Sequence, residues 1–105
     1  MTVYVIADIE ITDQDAYAEY QRLVPPIIAK FGGKYLVRGG QIVSGKSEWG
    51  LTRIVMLEFP SAEKAEEYAT SDEYAPIAAI SHKSATLRSF MVEGIDSSTD
   101  APLGQ

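Results

Sequence analysis

Arg38, Glu58, His82 and a group of tyrosines are the side chains of this chain best equipped for chemistry. Arg38 closes an apolar stretch and precedes Gly39-Gly40. A guanidinium grips a carboxylate through two parallel hydrogen bonds, and glycines let backbone approach a ligand closely. Arg38 is therefore a candidate anion anchor. The competing reading is a structural ion pair with Glu58 or Glu93, with the glycines making a bulge, because ion-pair networks place charges in similar settings. Glu58 lies within the apolar run Ile54–Phe59. A carboxylate left unpaired in such a run suits general-base work. Buried charges are usually paired, so Arg38, Arg53 or solvent beside Pro60 are its expected partners. His82 is the only histidine and sits beside Lys83. It is a second catalytic candidate, set against the simpler role of a cation at a helix C-terminus.

Tyr17, Tyr20, Tyr35, Tyr68 and Tyr74 are many phenols for 105 residues. Tyrosines around a mostly apolar pocket suit a small aromatic or lipid-like molecule. Helical spacing alone also accounts for Tyr17 and Tyr20 as a core stripe. Trp49, beside Glu48, reads as a cavity lid or a subunit contact, since aromatics favour interface cores. The ligand-binding set is thus Arg38, Tyr17, Tyr20, Trp49 and Tyr74. No metal site is expected, because cysteine is absent and no histidine–carboxylate spacing supports one. Gly32-Gly33 and Gly39-Gly40 lack the spacing of phosphate-binding loops.

These residues need elements to position them. Thr2–Ile11 alternates as a strand. Thr12 with Asp15 resembles a capping box that opens a helix, whose stripe is Tyr17, Tyr20, Val24, Ile27, Ile28 and Phe31. Gly32-Gly33 stops it. Pro25-Pro26 conflicts with a helix, since each removes a donor and crowds the preceding turn, so a kink or break is expected there. Lys34–Arg38 is a second strand, which can extend through Gln41–Ser44 to a hairpin loop at Gly45–Gly50. Leu51–Phe59 is the third strand. Ser61 caps a helix over Ala62–Thr70, and Ser71 opens another reaching about His82. Ala85–Glu93 is the last strand. Residues 1–96 form one domain, and the polar tail 97–105 lacks periodicity and is expected to be disordered.

The order β-α-β-β-α-β defines an α+β, ferredoxin-like fold, with a four-stranded antiparallel sheet carrying its helices on one face. Its strands are apolar on both sides. Val55, Leu57 and Phe59 oppose Ile54 and Met56, while Phe90 and Val92 oppose Met91. Helices cover one side only, so the other side needs a partner. A second copy of the chain is the economical choice, since symmetric dimers are the commonest oligomers.

Composition limits the remaining partners. The chain carries 9 basic and 15 acidic residues, net charge −6, with the basic ones scattered. Nucleic acid is not an expected partner, and neither is a membrane. No signal peptide or membrane-spanning run is visible, and with no cysteine the expected location is cytoplasmic.

Leu36-Val37-Arg38-Gly39-Gly40, Glu48-Trp49, Glu58-Phe59-Pro60-Ser61, Ser71 with Glu73-Tyr74, and Glu93-Gly94 occur in an order and spacing that resembles a known family. It is the bacterial domain-of-unknown-function family "thirteen-thirty" of the dimeric α/β-barrel superfamily. Tyr17 and Tyr20 also look like that family, and the match covers roughly residues 2–94. Asp72 departs from a proline common there, and Ser81-His82 from an arginine. The resemblance implies a ferredoxin-like subunit whose sheet packs on that of a second subunit as a dimeric α/β barrel, and it implies no reaction. Some proteins of the superfamily hold haem through a histidine late in the second helical region, loosely where His82 falls. The expected function is a small-molecule pocket for an organic acid or enol between sheet and helices, in a binding protein or a cofactor-free enzyme. The alternatives are a non-catalytic dimer, or a haem protein using His82. No cofactor is expected under the first reading.

Overall fold

The computed structural model describes residues 1–95, so the tail expected over 97–105 lies outside the described residues. The elements are β1 (Val3–Ile11), α1 (Gln14–Lys30), β2 (Lys34–Arg38), a short 3-10 turn at Ser47–Trp49, β3 (Ile54–Phe59), α2 (Ala62–Ala69), α3 (Ala75–Ser84) and β4 (Ala85–Glu93). The strands form one antiparallel sheet in the order β2-β3-β1-β4. This is the expected ferredoxin-like arrangement. The fully shielded core lies on one side of the sheet, where Val3, Leu57 and Phe59 meet Val24, Ile28, Ala65, Tyr68 and Ile77.

Helix boundaries follow local hydrogen-bond chemistry. Ser61 caps α2 as expected, its side chain accepting from the Lys64 N–H at 3.1 Å. Asp13, not Thr12, caps α1. Its carboxylate accepts from the Ala16 N–H at 3.2 Å, while the Thr12 N–H is used in a 2.8 Å bond to the Ser84 carbonyl. Gly32 ends the helical segment at φ +81°, a conformation open to glycine at little cost. Ser71 opens a turn rather than α3 itself, its Oγ accepting from the Tyr74 N–H at 3.1 Å. Pro76 sits in the first turn of α3, where its missing N–H has no helical partner to lose.

Two further expectations are corrected. The first is the break at Pro25-Pro26: α1 runs unbroken through both. Pro25 cannot donate to the carbonyl of Gln21, four residues earlier. Arg38 does so instead, with Nη2 3.1 Å from that oxygen. A guanidinium from the neighbouring strand thus supplies the missing donor. Pro26 and Arg22 are both exposed, which leaves the second freed carbonyl to water. The second correction concerns the loop. The chain does not continue as a strand over Gln41–Ser44, and β3 starts at Ile54 rather than Leu51. The Asp8 carboxylate takes the Thr52 N–H at 2.9 Å and the Arg53 N–H at 3.4 Å, so a side chain replaces strand pairing there.

One irregularity controls which way Arg38 faces. In the register, Tyr35 pairs with Leu57, Val37 with Met56 and Arg38 with Val55, so a bulge at Leu36 puts two β2 residues against one step of β3. Strict alternation would send Tyr35 and Arg38 to opposite faces. The bulge returns both to the helix side.

Candidate functional site

The sheet's helix side carries a small cavity. Its floor comes from β1 and β3 through Val5, Ala7, Val55 and Leu57, with Ser89 from β4. Across the sheet, Arg38, Val55, Ala7 and Ser89 form one row of paired residues. Ala7 and Ser89 are small, and they leave the space. The volume is about 130 Å³.

Tyrosines form its wall. Tyr17 and Tyr20 come from α1, Tyr35 from β2, Tyr68 from α2, and Tyr74 from the residue before α3. Their rings pack as a chain: Tyr17 to Tyr20 at 5.3 Å, Tyr20 to Tyr74 edge-on at 6.5 Å, and Tyr74 to Tyr68 at 4.6 Å between centroids. Such aromatic pairs add to what burial alone provides. The Tyr20 and Tyr74 hydroxyls share a 3.0 Å hydrogen bond. Burial pushes the phenols of Tyr17, Tyr20, Tyr35 and Tyr68 above their ordinary range. All four are therefore neutral at physiological pH, able to donate a hydrogen bond but not to act as phenolate bases.

Two guanidiniums meet this wall. Arg38 lies over the Tyr35 ring, 4.5 Å from its centroid, and donates to the Gln21 carbonyl. Arg53 is partly buried, and its charge opposes the upward push on the Tyr17 phenol. Its Nε is buried and has no hydrogen-bond partner. Among the described residues no Asp, Glu, His or Lys lines the cavity. Among the described residues neither arginine forms an ion pair with a carboxylate. The site can thus attract an anion and stack against a ring. It holds no ordinary acid–base group.

The structure gathers four of the five expected ligand-binding residues: Arg38, Tyr17, Tyr20 and Tyr74. Trp49 is not among them. It is 58% exposed in the 3-10 turn and lines a shallow depression with Asp8, Thr52, Thr86 and Arg88. Glu58 is also elsewhere. It pairs with Tyr4 and Lys34 in the sheet register, on the open face, and its carboxylate meets Lys34 Nζ at 3.0 Å. The expected pairing of Glu58 with Arg38 or Arg53 is therefore corrected: alternation along β3 turns Glu58 away from Val55 and Leu57. Arg38 has neither Glu58 nor Glu93 as an ion-pair partner. His82 is exposed in the last turn of α3 and lines no part of the cavity. A haem does not fit this arrangement, because a cavity of about 150 Å³ is filled by a single benzene ring. Among the described residues, no three or more His, Asp or Glu side chains cluster as a metal site.

Arg53 is the site residue that the sequence reading overlooked. Its signal was present: Arg53, Val55, Leu57 and Phe59 share one strand face by period two. Its position two residues before Val55 already assigned it to the helix side.

An antiparallel β2-β3-β1-β4 sheet with all helices on one face defines a ferredoxin-like α+β protein, with its cavity between the layers. The chain belongs to the family described as Domain of unknown function (DUF1330), which matches residues 2–95. No curated protein matches it. Solved structures share the fold at low identity. A protein of unknown function from Rhodopseudomonas palustris is 16% identical with a TM-score of 0.71, over 90% of this chain and 83% of its own. A dimeric ferredoxin-like protein of unknown function from Jannaschia is 12% identical with a TM-score of 0.71, over 90% of this chain and 100% of its own. SnoaB, a cofactor-independent oxygenase from Streptomyces nogalater, is 10% identical with a TM-score of 0.57, over 91% of this chain and 95% of its own. Among the described residues no helix is long and apolar enough to cross a membrane.

Proposed function

We propose that this chain is a cytoplasmic homodimer in which each subunit binds one small aromatic organic acid or enolate between sheet and helices. The observation that carries this reading is a cavity with two guanidiniums, a tyrosine wall and, among the described residues, no carboxylate, in a chain of net charge −6. A protein that is acidic overall yet keeps acids out of one pocket has the electrostatics of an anion receptor. The volume of about 130 Å³ suits a molecule of one ring. Recognition is favoured over turnover, because burial keeps Tyr17, Tyr20, Tyr35 and Tyr68 neutral and, among the described residues, no carboxylate or histidine lines the cavity to take a proton. The dimer is supported by the open face, where among the described residues no element covers Ile6, Ile54, Met56, Phe90 and Val92. That the Jannaschia protein is dimeric supports this reading. The alternative, a non-catalytic dimer packed by its own side chains, has the Tyr20–Tyr74 hydroxyl pair in its favour, since those tips already satisfy each other.

The test is thermal unfolding with benzoate, 4-hydroxybenzoate and phenylpyruvate, against uncharged benzyl alcohol, for the natural chain and for Ala7→Leu. A ligand specific to the folded state raises Tm by mass action. The acids should raise Tm for the natural chain only, because leucine fills the floor of the cavity. Equal shifts in Ala7→Leu would place binding elsewhere, and no shift with any acid would leave the self-packed dimer.

A further inference from the structure

Granted that the cavity binds an organic acid, we infer that Arg53, not Arg38, receives the carboxylate, and that Gly39 is the positioning residue that seats the Arg53 guanidinium. The two arginines face the same cavity but differ in what they already do. Arg38 is committed. Its Nη2 holds the Gln21 carbonyl that Pro25 leaves without a donor, and its central carbon lies over the Tyr35 ring. Turning it toward a ligand would give up both contacts and orphan a carbonyl in the wall of the site.

Arg53 is rooted and free at once. Its backbone N–H donates to Asp8 at 3.4 Å, and its carbonyl accepts from the Ile9 N–H at 2.8 Å. The main chain is thus fixed to β1 on both sides of the residue. Its guanidinium occupies the space that Gly39 leaves. A Cβ at Gly39 would overlap Nη1 and the guanidinium carbon, and Gly39 has φ +72°, where other residues are strained. The Gly39 N–H bonds the Ile54 carbonyl at 2.7 Å, so the seat is itself part of the sheet. The outcome is a partly buried cation with an unpartnered Nε, no carboxylate beside it among the described residues, and the neutral Tyr17 phenol near it. Desolvated cations without a counterion are unfavourable, and an arriving carboxylate removes that cost. Tyr17, 3% exposed, places its neutral hydroxyl beside this guanidinium.

Calorimetric titration with benzoate and with benzamide, its uncharged isostere, separates the alternatives. Arg53→Met should weaken benzoate by about 10- to 100-fold, the range expected for losing a charge-assisted hydrogen bond, with benzamide unchanged. Arg53→Lys keeps the charge but loses the fork, so it should fall between the two. Gly39→Ala should copy Arg53→Met on benzoate. Arg38→Ala should melt lower than the natural chain and weaken benzoate clearly less than Arg53→Met does, because it removes wall support rather than the group that grips the carboxylate. Should Arg38→Ala lose benzoate while Arg53→Met and Arg53→Lys retain it, the assignment is reversed and the cavity reading stands. Should the natural chain bind neither benzoate nor its ring-substituted analogues, both fall.

Discussion

Two adjacent rows of residues cross this sheet and face opposite ways. On the open side, Val37, Met56, Ile6 and Phe90 lie in register across all four strands. One step along, on the helix side, the row is Arg38, Val55, Ala7 and Ser89. The first row is bulky and apolar from edge to edge. The second has a charge at one edge and two small residues toward the other. Both belong to the same strands, so strand propensity does not explain the contrast. What differs is the occupant each face receives. A flat apolar row suits another flat surface, which a second copy of the sheet supplies. A row with a gap and a cation suits a small anion. Charges on the open side stay near its margins, as Lys34–Glu58 and Arg88–Asp8.

The largest expected effect tests the covered face. Phe59 is 0% exposed and packs on Tyr68 at 5.4 Å between ring centroids. Phe59→Ala should destabilise the subunit by about 3–5 kcal/mol, the usual cost of emptying a buried aromatic site. The urea midpoint measures it. A loss below about 1 kcal/mol would mean that this face is not the subunit's principal core. Phe90, in the open row, is 61% exposed in the subunit. Phe90→Lys should leave the subunit folded, with an unchanged circular dichroism spectrum, and shift light scattering from twice the chain mass to 11.5 kDa. A natural chain that already scatters as a monomer would refute the dimer, and the open row would then need a different partner.

This contrast was only half legible in the sequence. The order of elements was, because period-two and period-3.6 patterns are local and punctuated by Gly32, Pro60 and Ser61. The apolar character of both faces was also plain from Ile54 through Phe59. The identity of the face that holds Arg38 was not, because the bulge at Leu36 shifts the alternation by one residue, and no residue type there announces it. Glu58 was misassigned for a related reason. It lies three residues along β3 from Val55, the register partner of Arg38, and an odd spacing on a strand puts the two side chains on opposite sides. The unbroken α1 depends on a tertiary bond, from Arg38 to the Gln21 carbonyl, that local propensity cannot contain. Arg53, two residues before Val55, is placed on the helix side by simple alternation.

The smallest expected effect lies where the two faces are joined. Asp8 points to the open side, but it holds the backbone N–H groups of Thr52 and Arg53, the segment that carries the cavity's second guanidinium. The Arg88 guanidinium, 2.7 Å away, together with the Thr52 N–H, keeps the Asp8 carboxyl below its ordinary range. A carboxylate whose pKa falls on folding stabilises the native state above its unfolded pKa, and that contribution is lost as pH drops through the folded value. Stability should therefore fall on acidification below about pH 4, with part of that slope belonging to Asp8. Asp8→Asn should flatten the acid limb and cost about 1 kcal/mol at pH 7, less than the about 1.5–3 kcal/mol usual for bonds to a charged group, since the Arg88 side chain is 69% exposed and salt screens it. The same variant loosens the root of Arg53, so benzoate affinity should fall modestly while benzamide affinity stays. If the acid limb is unchanged in Asp8→Asn, the carboxylate contributes nothing to folding. If stability falls but benzoate binding does not, the Ile9 N–H bond and the Gly39 seat hold Arg53 without Asp8, and the open face has no influence on the site behind it.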